Sequence, residues 1–208
     1  MIAQPEQIYI IGAGGHGKVA IRAAQLCGTE VVAVFDDASE KHGTTLLGAP
    51  VVGNVPSILQ MRSLPTLIAI GDNRTRLRLA SQFALDWVSV VHPRAIVDCY
   101  AEIGAGVLIL AGAVIQTHAT VCDHAIINDN ATVEHDCRIA RGAHVSCNSC
   151  LAGGAQLGEG SLIGIGASVL PGIQVGDGSI VGAGAVVTKN LDEHVTAFGV
   201  PAQVLEMK

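Results

Sequence analysis

The 208-residue chain has few aromatic and few charged side chains: 3% are Phe, Trp or Tyr, and 14% are Asp, Glu, Lys or Arg. It carries a net charge of −6 and has no cluster of lysines and arginines, which argues against a nucleic-acid partner. No apolar run is long enough to span a bilayer, so we expect no membrane insertion. The first residues, MIAQPEQ, lack the basic start and apolar core of a signal peptide. We therefore expect a cytoplasmic protein.

A six-residue repeat fills the second half of the chain. An aliphatic residue recurs at every sixth position, sixteen times in succession, from Val97 to Val187. In fourteen of these hexads, Ala, Ser or Cys lies two residues before the aliphatic one. A helix of period 3.6 cannot keep such a column on one face, whereas a hexapeptide period is typical of a parallel β-helix. We expect the aliphatic residue to fill the interior and the small residue to let the chain turn each corner.

A solenoid of this kind needs its open ends covered, because unpaired strand edges invite further pairing. The chain before residue 95 and the tail after Lys189 are the predicted caps. Burial of one aliphatic column does not offset the entropy of ordering about ninety residues, so we also expect subunit association. Several apolar side chains fall on outward positions of the repeat and favour a homotrimer with active sites between subunits; they are Leu108, Val114, Ile126 and Leu162.

Six cysteines raise the question of a metal site. Cys147 and Cys150 form a CxxC pair, with Cys137 and His144 close by in the sequence. A zinc ribbon places its cysteine pairs on knuckle turns, whereas these lie inside the unbroken hexad register. Cys137 also occupies a small-residue position of the repeat. We therefore predict reduced thiols that act as small packing residues, and no bound metal.

The first ninety residues predict a small open βαβ sheet. Residues 8–11, 31–35 and 66–70 have the pattern of buried strands, and residues 18–27 that of a helix. The segment from Gly12 to Gly17 fits GxGxxG, and Asp36 and Asp37 follow about twenty residues later. The sheet is too small for a dinucleotide fold, so one nucleotide with its diphosphate is the better fit, bound at the carboxyl ends of the strands. The alternative is that the glycines only make a tight turn.

One coil of the repeat is rich in polar residues. His135 lies two places after the inward Val133, near an expected corner, and Glu134 and Asp136 flank it. Either carboxylate could orient the imidazole and raise its basicity. No other stretch of the repeat is as dense in titratable side chains, whereas the later coils are mostly small and aliphatic, which suits a long acyl carrier.

The repeat resembles the left-handed β-helix acyltransferases, which are trimers that use acyl-coenzyme A. Together with IIGAGGHGKV, FDD and AIGDNRTR near the N-terminus, it resembles the bacterial nucleotide-sugar N-acetyltransferases and the related sialic acid O-acetyltransferases. The resemblance covers essentially the whole chain, including the closing GVPA of residues 199–202. Its most specific motif is VEHDCRIARGAHVS, residues 133–146.

The resemblance implies a role for each matching residue. His135 would be the general base, Asp136 would enhance its basicity, and His144 would contact acetyl-CoA. The residues implied in nucleotide-sugar binding are Gly15, His16, Gly17, Asp36, Asp37 and Gly71, to which we add Asn128 of the polar coil. Gly153, Ile165 and Ala183 match the coenzyme wall, with Ala183 in place of a family glycine.

The resulting prediction has three parts: a nucleotide-sugar-binding domain (1–92), a left-handed β-helix (93–190) and a C-terminal capping tail (191–208). The expected reaction moves acetyl from acetyl-CoA to the 4-amino group of a nucleotide-linked 4-amino-4,6-dideoxy sugar. Two alternatives stay open. The first is O-acetylation of a sugar hydroxyl, and the second is a non-enzymatic nucleotide-sensing assembly protein.

Overall fold

The computed structural model describes residues 4–205. The N-terminal domain has a five-stranded sheet in the order β3-β4-β2-β1-β5, parallel except for the β3–β4 hairpin. Its elements are β1 (Gln7–Ile11), α1 (Gly15–Leu26), β2 (Glu30–Phe35), β3 (Thr45–Leu46), β4 (Ala49–Gly53), β5 (Thr66–Ile68) and α2 (Asn73–Gln82), with two 3₁₀ helices at Ser39–Lys41 and Val55–Gln60. The three predicted strands and the first helix are present. The strand order reverses at β1, so ligands are expected beyond the carboxyl ends of β1 and β5. Among these described residues, no helix is long and apolar enough to cross a membrane.

The repeat forms a left-handed parallel β-helix, as predicted. Its two-residue strands are β6 (Val90–Val91), β7 (Ile96–Val97), β8 (Glu102–Ile103), β9 (Leu108–Ile109), β10 (Val114–Ile115), β11 (Thr120–Val121), β12 (Ile126–Ile127), β13 (Thr132–Val133), β14 (Arg138–Ile139), β15 (His144–Val145), β16 (Cys150–Leu151), β17 (Gln156–Leu157), β18 (Leu162–Ile163), β19 (Ser168–Val169), β20 (Gln174–Val175), β21 (Ile180–Val181) and β22 (Val186–Val187). Each strand pairs in parallel with the strand eighteen residues away, for example Ile115 with Val133.

The strands build a prism with three faces. The first face contains β7, β10, β13, β16, β19 and β22, and the second contains β8, β11, β14, β17 and β20. The third face contains β6, β9, β12, β15, β18 and β21 and continues into the tail strands β23 (Thr196–Phe198) and β24 (Gln203–Val204). Each corner takes the number of the face that precedes it in the chain.

The aliphatic column fills the prism, and the corners are made differently from our expectation. From Ile109 to Val187 every column residue is at most 2% exposed. The small residue is buried beside it, whereas the turn itself is carried by the residue just before the small one, which adopts a left-handed conformation. Asp136 precedes Cys137 in this way with φ 58°, and Gly142 precedes Ala143 with φ 62°. Glycine, asparagine and aspartate tolerate this conformation best, and they occupy most of the corners.

The N-terminal domain packs against the side of the prism rather than over its end. Leu108, Leu110 and Ile126 of the third face share one buried core with Ile8 and Ile10 of β1. Leu108 and Ile126 therefore do not lie on an open outer surface, so our use of them as evidence for a trimer was wrong. At the other end, β23 extends the third face in parallel, and β24 pairs with it antiparallel.

The cysteines do not form a metal site within residues 4–205. All six are free thiols there, and no group of three His, Cys, Asp or Glu side chains converges as a metal site would require. Cys137 is buried in the prism core, where its thiol contacts the Ala152 carbonyl at 3.2 Å. Burial raises the pKa of Cys137 to about 11.

Candidate active site

The glycine loop at the carboxyl end of β1 divides into two functional parts. Gly12 has φ +112°, and a Cβ there would lie 2.8 Å from the carbonyl oxygen of Ala69 at the end of β5. A Cβ at Gly17 would overlap the carbonyl oxygen of Gly12. Both glycines are therefore required for close packing of the loop, β5 and α1, and neither has room for a side chain.

The other two glycines open onto a helix terminus. A Cβ at Gly14 or Gly15 would meet nothing within 4 Å. The first backbone bond of α1 runs from the N–H of Lys18 to the carbonyl of Gly14, at 3.2 Å. The N–H groups of residues 15–17 have no acceptor within the helix, which makes this end suited to an anion such as a diphosphate.

Asp36 and Asp37 fasten the loops around this opening. The Asp36 carboxylate accepts hydrogen bonds from the N–H of Ala13 at 2.7 Å and from the Lys41 ammonium at 3.1 Å. Burial alone would raise the pKa of Asp36, but two backbone N–H bonds and Lys41 outweigh it and hold the pKa below its usual value. Asp37 accepts from the N–H of Val55 at 2.9 Å. The two side chains thus hold the glycine loop and the second 3₁₀ helix in place.

A pair of histidines joins this loop to the prism. The rings of His16 and His144 lie with centroids 6.2 Å apart, and Asn128 Nδ2 donates to His144 Nε2 at 3.1 Å. Burial, and after it the charge of the Arg76 cation, lower the pKa of His16 to about 4 and that of His144 to about 3. A hydrogen bond with the backbone of Gly71 opposes the shift at His144. Both rings are therefore neutral at neutral pH, and within residues 4–205 the buried Nε2 of His16 has no hydrogen-bond partner.

His135 and Asp136 form an exposed pair at the first corner. His135 Nδ1 lies 2.7 Å from Asp136 Oδ2, and the two side chains are 57% and 64% exposed. The ring rests on Gly153, one coil further along, where a Cβ would lie 2.5 Å from both Cε1 and Nε2. The carboxylate and the glycine together fix the orientation of the ring. Since Nδ1 faces the carboxylate, Nε2 is the nitrogen available to accept a proton.

One chain does not bring all the predicted residues together. His135 and Gly153 occupy the first corner, which lies between the first and second faces. His144 belongs to β15 of the third face, and in a triangular prism that face is opposite the first corner. Ile165 and Ala183 follow β18 and β21 at the third corner, and Ile165 is 61% exposed. The general-base pair is therefore separated from the histidine pair by the body of the prism.

A cleft of about 890 Å³ opens beside His144, between the start of α2 and the third face. Gly71 and Arg74 line it on the side of the N-terminal domain, and Leu162 and Ile180 line it on the prism. The cleft adjoins the histidine pair at His144 and extends along the later coils, where Glu159 and Asp177 also line it.

Arg76 is the main residue of this region that sequence reasoning missed. Its side chain is fully buried between the N-terminal domain and the prism. In the sequence it alternates with Arg74 and Arg78, both of which are exposed. The only local hint is its position three residues before the buried Leu79, on the inner side of α2.

The comparisons with known proteins agree with this architecture. Residues 7–83 match the family model "PglD N-terminal domain", and residues 154–189 match "Bacterial transferase hexapeptide (six repeats)". The chain is 39% identical to PerB from Caulobacter crescentus, solved in complex with CoA and GDP-perosamine. The TM-score is 0.90, with 96% of this chain and 97% of that chain covered. The chain belongs to the left-handed β-helix nucleotide-sugar N-acetyltransferases. The resemblance inferred from the sequence is thereby confirmed.

Two further members of this family extend the comparison. The acetyltransferase domain of PglB from Neisseria gonorrhoeae FA1090, solved in complex with acetyl coenzyme A, is 33% identical with a TM-score of 0.89, over 96% of this chain and 99% of that chain. UDP-N-acetylbacillosamine N-acetyltransferase of Bacillus subtilis (strain 168) is 38% identical over 115 residues, 51% of this chain and 52% of that protein. The chain spans about half or less of the length of the curated relatives that it matches.

Proposed function

We propose that this protein transfers an acetyl group from acetyl-CoA to the 4-amino group of a nucleotide-linked 4-amino-4,6-dideoxy sugar, in the cytoplasm. The observation that carries the proposal is the His135–Asp136 pair, with Nδ1 held at 2.7 Å by the carboxylate and Nε2 left to accept a proton. PerB, solved with CoA and GDP-perosamine, supports the two substrate classes. The product would serve the biosynthesis of a glycan.

The reaction needs no covalent enzyme intermediate, because an amine is already a competent nucleophile. The 4-amino nitrogen attacks the thioester carbonyl and forms the new C–N bond, while His135 Nε2 accepts the proton that the amine loses. A backbone N–H stabilises the oxyanion of the tetrahedral intermediate. Collapse of the intermediate breaks the C–S bond and releases coenzyme A, whose thiolate recovers a proton from His135.

The nucleotide handle would lie on the N-terminal domain. The open N–H groups at the start of α1 suit the diphosphate, and the open space at Gly15 lets it approach. His16 Nε2, buried without a partner in the described chain, offers a hydrogen-bonding nitrogen to a polar group of the ligand. Gly71 and Asn128, which both contact His144, complete the sugar-nucleotide side.

The coenzyme would run along the prism. His144 borders the cleft on the third face, and Ile165 and Ala183 follow one another at the third corner, one coil apart. Gly153 takes part through the first corner, where it supports the ring of His135.

A homotrimer would unite the two halves of this site. Since His135 and the histidine pair lie on opposite sides of one prism, the first corner of one subunit must meet the third face of the next. Exposed apolar side chains on the third face and third corner, Ile180 at 43% and Ile165 at 61%, favour such packing. Light scattering should give a trimer, and a fully active monomer would contradict the arrangement.

A coenzyme A release assay tests the reaction. Acetyl-CoA is offered with UDP-, dTDP- and GDP-linked 4-amino sugars, and with sialic acid as a hydroxyl acceptor. We expect release with a 4-amino nucleotide sugar and a fall of roughly 10²–10⁴-fold in kcat for His135→Ala. Release with hydroxyl acceptors alone would replace the proposal by O-acetylation, and no release with any acceptor would favour nucleotide sensing. More than a third of wild-type turnover in His135→Ala would contradict the general-base role.

Mixed trimers test whether the site is shared. His135→Ala and Gly15→Val damage opposite halves, so with the sugar nucleotide held well below the wild-type KM each pure variant should lose at least about nine-tenths of the wild-type rate. After co-expression at equal levels, about a quarter of the sites would combine an intact base with an intact glycine loop from the neighbouring subunit. Recovery of activity well above either pure variant is expected. If both halves came from one chain, no recovery would occur.

A further inference from the structure

The second corner of the prism presents a column of carbonyl groups toward α2. His124, Gly142 and Gly160 lie one coil apart, all in the left-handed conformation with φ 58°, 62° and 64°. The inter-coil bonds at this corner use the preceding residue instead: the Asp123 carbonyl accepts from Gly142 N–H at 2.9 Å, and the Arg141 carbonyl accepts from Gly160 N–H at 3.0 Å. These inter-coil backbone bonds leave the carbonyl of the left-handed residue in each coil available to a side chain.

Two side chains of α2 bind three successive members of this column. Arg76 donates from Nε to the His124 carbonyl and from Nη2 to the Gly142 carbonyl, both at 2.7 Å. Asn73 Nδ2 donates to the Gly160 carbonyl at 3.0 Å. Arg76 Nη2 also donates to Asn73 Oδ1 at 2.7 Å, which joins the two side chains into one unit.

The same guanidinium holds the loop after β5. Its Nη1 donates to the carbonyls of Ile70 at 2.8 Å and Gly71 at 3.3 Å, so all five of its N–H groups are used. The backbone of Gly71 is also the hydrogen-bond partner of His144. Arg76 therefore connects two coils of the prism directly to the loop that borders the sugar-nucleotide side of the site.

The surroundings of Arg76 indicate that it positions other groups rather than stabilising the fold. Within the described chain, the acceptors of the fully buried Arg76 are carbonyls and an amide oxygen rather than carboxylates. Desolvation lowers its pKa to about 10, with only a partial offset from Asp72. A buried cation without an ion-pair partner is weak evidence for stability, because its desolvation is costly. What Arg76 contributes is geometry: its planar guanidinium donates to five acceptors in fixed directions, which a lysine ammonium cannot do.

We infer that Arg76 is a positioning residue that sets the gap between the loop after β5, against which Gly12 of the glycine loop packs, and the coil carrying His144, and thereby the use of the sugar nucleotide. The inference rests on the proposed function, since the gap matters only if the sugar nucleotide binds there. The donor coenzyme, placed along the later coils, should be affected much less.

The test compares Arg76→Lys with Arg78→Lys, a matched change at an exposed arginine of the same helix. Steady-state kinetics would give KM and kcat for both substrates. Amide hydrogen exchange of residues 69–73 reports the docking of the loop without any substrate. Circular dichroism and light scattering check folding and assembly. Asn73→Ala is the second variant, since it keeps the cation but removes the Gly160 and Ser161 contacts and one of the five acceptors of Arg76.

We expect Arg76→Lys to raise KM for the sugar nucleotide at least tenfold and to speed exchange of residues 69–73 at least tenfold. The KM for acetyl-CoA should stay within threefold, Asn73→Ala should shift the same two readouts less, and Arg78→Lys should match the wild type. Equal losses for both substrates, or unchanged exchange in a folded Arg76→Lys protein, would overturn the inference. If the wild type itself transfers no acetyl group, the proposed function fails, and the exchange result still decides whether Arg76 docks the loop. If Arg76→Lys does not fold, Asn73→Ala is the test. It should raise the KM for the sugar nucleotide and the exchange rate of residues 69–73 while the KM for acetyl-CoA stays within threefold, and the absence of that difference would overturn the inference.

Discussion

Replacing Gly153 with alanine should displace the His135 ring without straining the backbone. The new Cβ would lie 2.5 Å from Cε1 and Nε2 of His135 and 3.2 Å from Nδ1. Ordinary contacts of this kind lie at 3.4–4 Å, so the ring must move by about 1 Å. Because the His135 side chain is 57% exposed, it can swing outward rather than push the coils apart. The movement would also take Nδ1 away from the Asp136 carboxylate.

The expected cost falls on catalysis rather than on stability. A misplacement of about 1 Å at a reacting group costs up to about 10²-fold, so we expect kcat for Gly153→Ala to fall by roughly 10–100-fold. The outward rotamer costs on the order of 1 kcal/mol within one side chain, and the prism core is untouched. Thermal unfolding should therefore stay near the wild-type midpoint.

The neighbouring Gly154 provides the opposite control. It has φ +71°, and a Cβ there would meet only Gly172 at 3.9 Å, so Gly154→Ala leaves the His135 ring in place. Alanine in this conformation costs about 1–2 kcal/mol, which lowers the melting temperature by a few degrees. Both variants are measured by coenzyme A release and by thermal unfolding. Gly153→Ala should lose kcat and keep its stability, whereas Gly154→Ala should lose stability and keep its kcat. If Gly153→Ala keeps more than a third of wild-type kcat, the ring placement seen here is not what the reaction requires.

Three further perturbations address other parts of the site. Asp136→Asn keeps an oxygen for His135 Nδ1 but removes the charge, so we expect kcat to fall about tenfold, clearly less than for His135→Ala. Gly15→Val should raise KM for the sugar nucleotide at least tenfold and change acetyl-CoA affinity by no more than about threefold, ~0.65 kcal/mol. The reverse pattern would move the coenzyme to the glycine loop. The pKa of His16, about 4, and that of His144, about 3, lie below the ordinary 6.5, so the unfolded chain binds more protons below pH 6.5. Stability should therefore fall between pH 6.5 and 4, by about 3 kcal/mol from His16 alone. Urea unfolding at pH 7 and 4.5 measures the loss, which His16→Asn should reduce, and a pH-independent midpoint would contradict this.

Much of the fold could be predicted because the repeat is a local property of the chain. Every hexad carries its own inward aliphatic residue, so the strand positions follow from counting, without knowledge of distant contacts. The same counting located His135 near a corner and predicted a neighbouring carboxylate as its partner. The structure selects Asp136 over Glu134, because the left-handed turn at Asp136 brings its oxygen to 2.7 Å from Nδ1.

The docking of the two domains could not be predicted in this way. Outward positions of the hexads look alike in sequence, so Leu108 and Ile126 seemed equivalent to the half-buried Val114, yet they lie under the N-terminal domain. Arg76 likewise looks like Arg74 until the helix is placed on the prism. Which outward residues meet depends on contacts between segments far apart in the chain, such as Arg76 and Gly142, which are 66 positions apart. Repeat periodicity alone determined the prism and, because His135 falls at a first corner and His144 on the third face, their separation within one chain. Only tertiary packing decided which face of the prism holds the N-terminal domain.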